Sequence, residues 1–326
     1  MRRLQKGPLE LVCRKGFGAF MRETGLADKV YEVEKSNAAS YASLARELGA
    51  RDFELLVSPH QSLRSALFAR KIRAQRKLGF KTWWNGLVFG DRIERPMHLP
   101  DALRQLSALA PADPELRELL SAAQTSFHNR APLFEPVDLQ QIPEWASMRV
   151  ERFARKPLAK RARRIVLAPG SQWATKRWTP EGFRRVGLAF KESGYEIALA
   201  GSAPEKPICA EIAAGIPGAV DLCGRTSLIE LAELFGDSAL LIVNDSGLMH
   251  MGAVAEIPTV AVFGPTTLEL GYRPWQPKAL VVESELPCRP CGKHGHQVCP
   301  IGTHACMKQI QSDSVLQLAR KLLAVA

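Results

Sequence analysis

The chain has 326 residues, 46% of them hydrophobic, and 44 Lys and Arg against 33 Asp and Glu give a formal net charge of +11. That length suits two domains of ordinary size, and the apolar content is that of a globular protein with real cores. No apolar run reaches the roughly 18 residues that would span a bilayer. The charge favours anionic partners: nucleotides, phosphorylated lipids, a membrane surface or nucleic acid. No nucleic-acid motif or aromatic–basic interleaving is present, so nucleic acid is not expected. The start, MRRLQKGPLELVCRKG, is basic but carries Glu10 within a short apolar run and does not read as a signal peptide. Seven cysteines, with Cys13, Cys209 and Cys223 scattered, read as free thiols in a reducing cytoplasm.

Leu9–Cys13 and Lys29–Val33 have the pattern of strands. Ala38–Leu48 is helical, with Tyr41, Leu44, Ala45 and Leu48 on one face. Phe53–Val57 is a strand that ends in Ser58-Pro59-His60, Ser62–Ile72 is a helix, and Lys77–Phe80 is a short strand. This alternation predicts βαβ units around a parallel sheet. His60, Gln61 and Ser62 sit where a strand's carboxyl end meets a helix, the ligand side of such sheets; they are candidate ligand contacts, or a turn capped by Ser62. Residues 111–160 read as irregular, with Pro111, Pro114, Pro132, Pro136, Pro143 and Pro157. A basic run over 152–164 marks the later part as an inter-domain connection, placing the domains at 1–150 and 151–326.

The second half opens on the strand Arg164–Ala168. The loop PGSQWATKRWTPEGF follows, and Thr179 with Pro180 starts a helix. Lys176 and Arg177 precede that helix and, read alone, form an exposed basic pair. Glu196–Ala200 is a strand, and Gly201–Glu205 turns into a helix that runs through Ala214. Asp221–Ser227 is a strand end and turn, with Thr226 or Ser227 capping the helix Leu228–Phe235. Leu240–Val243 is a buried parallel strand broken by Asn244, Asp245, Ser246 and Gly247. Asp245 or Ser246 is expected to cap a helix running from Leu248 toward Ala255, and Thr259–Phe263 is the next strand. The free N–H groups and dipole of such a helix start suit a phosphate. Asp245 would repel one and is expected to face something neutral and rich in hydroxyls.

Cys288, Cys291, Cys299 and Cys306 follow a C-x2-C-x7-C-x6-C spacing with His294, His296 and His304 interspersed. Four cysteines opening on CxxC suggest a structural zinc site, although the second pair is not CxxC; reduced thiols or a disulfide in the loop 288–306 are the alternatives. Ser312–Val325 is a final amphipathic helix.

NDSGLMHMGAV followed by PTVAVFGPT resembles the donor-sugar motif of the lipopolysaccharide heptosyltransferases, glycosyltransferase family nine, and most resembles the second of these enzymes. FELLVSPHQSLRSALFAR, RKLGF, HLPDALRQLSAL and the loop before Trp178 match the same family. The resemblance implies an α/β, GT-B-like fold, two Rossmann-like domains facing a central cleft, with the acceptor on the N-terminal side and the nucleotide sugar on the C-terminal side. It implies inverting, metal-independent transfer of heptose from ADP-heptose to a lipid A-core acceptor, by a cytoplasmic monomer at the inner face of the inner membrane.

By the same resemblance Lys176 faces the donor's phosphates and Glu205 the ribose hydroxyls. Thr226 lies near the adenine edge, and Ser171 lines the donor site. Ser246, Gly247, Leu248 and His250 hold the diphosphate, and Asp245 holds sugar hydroxyls. The family's opening strand and Gly-Asp loop, which carries the general base, have no counterpart. LELVCRKGFGAF resembles the second strand, and aligning RKGFGAF with the Gly-rich loop puts Ala19 at the Asp position. The chain therefore reads as starting late, as using another carboxylate (Asp91 or Glu94), or as keeping binding without catalysis.

Overall fold

The computed structural model describes residues 7–126, 146–154, 156–157 and 161–324. Pro132, Pro136, Pro143 and Val325, which figure in the sequence reading, lie outside them. The chain divides into two compact units, Met1–Asn129 and Arg130–Ala326. The division falls before 150 because the Trp275 indole donates to the Ala146 carbonyl at 2.8 Å and the Val150 N–H to Val254 at 2.9 Å, tying 146–150 to the second unit.

In the first unit β1 (Glu10–Arg14) and β2 (Lys29–Val33) pair in parallel, joined by α1 (Gly18–Glu23). The helix α2 (Ala38–Gly49) follows, its first N–H groups capped by Asn37, which accepts from Ala39 and Ser40 at 3.0 and 3.2 Å. Then come β3 (Asp52–Ser58), α3 (Leu63–Arg70), β4 (Arg73–Phe80) and β5 (Asp91–Ile93), the strands forming a parallel sheet in the order β3-β4-β5. Val33, Leu44, Leu48 and Ile72 bury together with Val12, Phe53 and Phe68, so one apolar cluster joins both sheets. The strand β5 is only three residues long and has no pattern to read. α4 (Asp101–Ser107) lies within the expected HLPDALRQLSAL helix.

α5 (Pro114–Ser126) corrects the reading of 111–160 as irregular. Pro114 stands at its first position, where a missing N–H costs nothing, and Asp113 accepts from Leu116 N–H at 3.0 Å. Leu116 and Leu120, one turn apart, are buried. Proline content masked a well-capped helix.

The second unit contains β6 (Ala162–Ala168), α6 (Pro180–Glu192), β7 (Glu196–Leu199), α7 (Lys206–Ala214), β8 (Val220–Asp221), α8 (Leu228–Gly236), β9 (Ser238–Asn244), α9 (Gly247–Val254), β10 (Thr259–Phe263), β11 (Ala279–Glu283), α10 (Ala305–Lys308) and α11 (Ser312–Ala324). The six strands form one parallel sheet in the order β11-β10-β9-β6-β7-β8. The chain runs outward from β6 through β8, then returns to β9 on the other side of β6. Ligands bind at the carboxyl ends of strands flanking such a reversal.

Alternation along each strand sends residues to opposite faces. Ile165, Leu167, Leu240, Ile242, Val260 and Val262 meet Phe183, Val186 and Phe190 of α6 and Val315, Ala319 and Leu322 of α11. On the opposite face Gly252 of α9 lies close to Leu241. Covered on both faces, the strands are continuous apolar runs, as expected of a parallel sheet.

Phe183 is fully buried and packs edge-on to Trp178, with ring centroids 5.1 Å apart. Phe183→Ala is expected to destabilise the second unit by about 3–5 kcal/mol, read as a lower urea midpoint. In the first unit the Glu10 carboxylate is held below its ordinary value by hydrogen bonds from Arg51 and, less strongly, Tyr31, against an opposing effect of burial. A depressed carboxylate adds stability above its unfolded pKa and loses it as pH falls through the folded one. The midpoint difference between wild type and Glu10→Gln is therefore expected to be widest near neutral pH and to close below 4.5.

Candidate functional site

The loops after β6 and β9 meet through Asn244, the last residue of β9. Its fully buried side chain accepts from the Trp178 N–H at 3.0 Å and donates to the Pro169 carbonyl at 2.7 Å. Trp178 is anchored in turn by its indole, which donates to Ile310 at 3.2 Å. The loop PGSQWATKR is thus held against the end of β9, although nothing local in its sequence requires it.

Lys176 and Asp245 are brought together by this arrangement. The Lys176 ammonium lies 2.5 Å from Asp245 Oδ2, which also accepts from the Thr266 hydroxyl at 2.6 Å. Only 6% of Lys176 and 4% of Asp245 is exposed. One carboxylate oxygen of Asp245 is therefore committed to a cation and a hydroxyl, while the ammonium keeps further N–H donors beyond its bond to Asp245. Thr266 has no signal in the sequence, since its role depends on β10 lying beside β9.

Ser246 precedes α9 but does not cap it. Its extended backbone leaves the hydroxyl without a capping bond, and Oγ is buried with no hydrogen-bond partner. The expected Ser or Asp cap is corrected accordingly: Asp245 faces Lys176, and the Ser246 side chain makes no capping bond to α9. A Cβ added at Gly247 would meet nothing within 4 Å, so the helix start is open there. Leu248 and His250 are half-buried on its first turn.

The rim continues along β6, β7 and β8. Ser171 is buried, and its carbonyl accepts from Arg177 Nε at 2.9 Å. The Glu205 carboxylate stands over Gly170, where a Cβ would lie 2.0 Å from Oε1, so a side chain at 170 would displace the carboxylate from this position. Its other oxygen accepts from the Ser202 N–H and hydroxyl at 2.6 and 2.8 Å in a capping box. Gly224, at φ +64°, packs 2.7 Å from the Ala203 Cα position when given a Cβ, which brings the 222–226 turn against 201–205. Thr226 is half-buried there, and Ser227, not Thr226, caps α8 by accepting from Glu230 N–H at 3.2 Å. Ser171, Glu205 and Thr226 thus share one rim with Lys176, Asp245 and the α9 terminus.

In the first unit Ser62 caps α3, accepting from Ser65 N–H at 3.2 Å. Gln61 donates to the Lys81 carbonyl at 3.5 Å, and His60 is exposed. Asp91 is paired with Arg76 at 2.9 Å and Glu94 with Lys81 at 2.8 Å, both near the surface. The Glu32 carboxylate accepts from Gly16 and Gly18 N–H groups at 2.6 and 3.0 Å, and these bonds hold its pKa below the ordinary value, Gly18 contributing most.

Cys288, Cys291, Cys299 and Cys306 line one cavity of about 10 Å³ together with His296 and His304. The Cys299 thiol is pushed down by the backbone N–H of His304 and, less strongly, of Ile301, Gly302 and Thr303, while burial pushes Cys306 up to about 11. Among the described residues, no three of these sulfurs lie within 4.8 Å of one another; Cys209, Asp221 and Cys223 do so instead. The reading of Cys209 and Cys223 as scattered is corrected here: α7 and β8 bring them together at the edge of the sheet, and the Cys209 thiol is pushed up by burial.

Residues 41–301 match the family model of glycosyltransferase family 9 (heptosyltransferase). The chain belongs to glycosyltransferase family 9. It is 34% identical over 163 residues to lipooligosaccharide heptosyltransferase 2 of Campylobacter jejuni, covering 48% of this chain and 50% of that protein. It is 25% identical over 319 residues to lipooligosaccharide heptosyltransferase 2 of Haemophilus influenzae, covering 92% of this chain and 87% of that one. The chain thus spans about half the length of the Campylobacter relative and most of the Haemophilus one. The solved ADP-heptose lipopolysaccharide heptosyltransferase II of E. coli superposes with a TM-score of 0.73 at 19% identity, covering 99% of this chain and 92% of that one. The α/β fold with parallel sheets is that of the GT-B-like heptosyltransferases.

In this family 9 chain, removing one partner of the Lys176–Asp245 pair strands a buried charge. Asp245→Leu is expected to cost about 3–5 kcal/mol and the double variant with Lys176→Met much less than the sum of the single changes. A double-mutant cycle by urea unfolding measures this coupling.

Proposed function

We propose that the chain transfers heptose from ADP-heptose to the inner core of lipopolysaccharide, inverting the configuration at C1. The observation that carries this reading is the open, side-chain-uncapped start of α9 at the strand-order reversal, next to the buried Lys176. A departing ADP gains negative charge as the glycosidic bond breaks. The N–H groups of Ser246, Gly247 and Leu248, the α9 dipole and the Lys176 ammonium are suited to hold that charge. Ser171 and His250 would line the same pocket. Glu205 suits a ribose hydroxyl through Oε1, the oxygen not held by Ser202, with Thr226 toward the adenine, and the second oxygen of Asp245 suits a hydroxyl of the sugar. The acceptor hydroxyl would attack C1 from the side opposite the diphosphate, with His60 and Gln61 as its contacts and Asp91 or Glu94 as its base. In this scheme protein groups supply the positive charge, so donor binding needs no added divalent cation. The E. coli relative named for ADP-heptose supports the choice of donor.

No helix among the described residues is long and apolar enough to cross a membrane. The charge of +11 suits peripheral contact with the anionic cytoplasmic face, where a lipid A-core acceptor is presented.

A second reading, binding of a sugar nucleotide without transfer, is favoured by the RKGFGAF loop. It carries Ala19 where the family's base would stand on one alignment, and Glu32 already occupies its Gly16 and Gly18 N–H groups.

Calorimetry with ADP-heptose, ADP and UDP-sugars, followed by turnover on a heptose-deficient core acceptor, separates these readings. Tight ADP-heptose binding with turnover is the expected result. Binding without turnover would favour the second reading, and preference for another nucleotide sugar would reassign the donor. Gly247→Val places its Cβ where nothing lies within 4 Å, so it is expected to change the melting temperature little while weakening ADP-heptose by at least about tenfold, a loss of roughly 1.4 kcal/mol. Unchanged affinity would remove the α9 terminus from the site.

A further inference from the structure

Residues 284–304 contain no helix or strand. A stretch of this length without secondary structure needs something to offset the entropy of ordering it. Apolar burial is a poor candidate, because Val298 and Ile301, its large aliphatic residues in the cysteine-rich part, are 78% and 58% exposed. Arg289 secures one end: it is buried, paired with Glu283, and donates to the carbonyls of Gly264, Ser284 and Thr266. The other end, with three of the four cysteines, is tied to the loop 172–175 through His296, Gln297 and His304, and none of those bonds uses a cysteine sulfur.

The four thiols surround one small cavity, closed on its far side by Thr175 and Pro265. The backbone is turned toward the Cys299 sulfur, which accepts from the His304 N–H at 3.4 Å. The Cys291 thiol donates to the Cys288 carbonyl at 3.0 Å, a bond it gives up on becoming a thiolate. His304 Nε2 is engaged with the Thr175 carbonyl at 2.8 Å, which leaves the four sulfurs as the soft donors facing the cavity. All four cysteines are free.

We propose that Cys288, Cys291, Cys299 and Cys306 bind one zinc-class divalent cation as four thiolates. Four thiolates suit a soft or borderline cation that takes tetrahedral coordination, of which zinc, with zinc–sulfur distances of about 2.3 Å, needs no redox partner. The sulfurs stand farther apart than that requires; rotation about χ1 between staggered wells re-aims a thiol without moving its backbone. Binding releases the thiol protons to solvent and involves no change of oxidation state.

The ion would brace the donor-site loops from outside, acting on position and not on the reacting atoms. Cys291 N–H donates to the Pro265 carbonyl at 2.7 Å, next to Thr266. Thr175, next to Lys176, exchanges bonds with His296: its N–H donates to the His296 carbonyl at 3.1 Å and its hydroxyl accepts from the His296 N–H at 2.8 Å. The cluster therefore backs both groups that converge on Asp245.

The test is metal analysis of the intact chain, expressed with zinc available and purified without metal-affinity steps. About one zinc per chain is expected, released when a mercurial titrates the thiols. Replacement by cobalt should produce the absorption of a tetrahedral thiolate site. Cys291→Ser and Cys299→Ser should lose the metal, and Cys13→Ser should keep it. Two results on the folded wild-type chain would overturn the proposal whatever the variants do. One is zinc well below one equivalent with all four thiols open to a thiol reagent. The other is a disulfide among them under non-reducing mass spectrometry.

Discussion

The side chain of Asn244 joins the carboxyl ends of β6 and β9, and the arrangement of the loops at that end of the sheet rests on that bridge. A buried primary amide has both donor and acceptor capacity, and leaving either unused would be costly. Asn244 spends its acceptor on Trp178 and its donor on Pro169. The loop that carries Lys176 is thereby fixed in register with the strand that carries Asp245. Where the strand order reverses, the crossover connections on either side of β6 and β9 lead away from each other, so these two loops frame a space that neither helix layer fills.

Within that frame, charge is arranged economically. Lys176 is almost entirely removed from solvent, and an ammonium in such a place requires a counter-charge. Asp245 supplies it, and Thr266 completes the hydrogen bonding of the same oxygen. The pair keeps a cation beside the N-terminus of α9 without leaving it unpaired. Ser246 contributes by what it does not do: its hydroxyl leaves the leading N–H groups of the helix uncapped by a side chain. A helix start, a buried cation and a glycine with open space before it thus lie together, the features the proposed diphosphate site would use.

The first unit uses more local devices. Asn37 and Ser62 cap their helices, Asp113 and Pro114 open α5, and Glu10 ties β1 to Tyr31 and Arg51 across the neighbouring elements. Its carboxylates are mostly engaged in surface pairs such as Asp91 with Arg76 and Glu94 with Lys81. Exposed pairs of this kind are weak and exchange readily with solvent.

The sequence by itself determined most of the local elements and their order, with α5 and the three-residue β5 as exceptions. Lys29–Val33 and Thr259–Phe263 are strands with the bounds their apolar pattern predicts, and Thr179-Pro180 starts α6, because periodicity and capping act over a few residues. Family membership was also legible, since the NDSGLMHMGAV and PTVAVFGPT segments are contiguous. What the tertiary structure decided are the pairings between distant residues: Lys176 with Asp245, Asp245 with Thr266, Glu205 over Gly170, Cys209 beside Cys223. These depend on strand order and on which loops reach the same end of the sheet. Side chains separated by many residues in sequence meet only after the parallel sheet has set its register, and no local pattern encodes that distance.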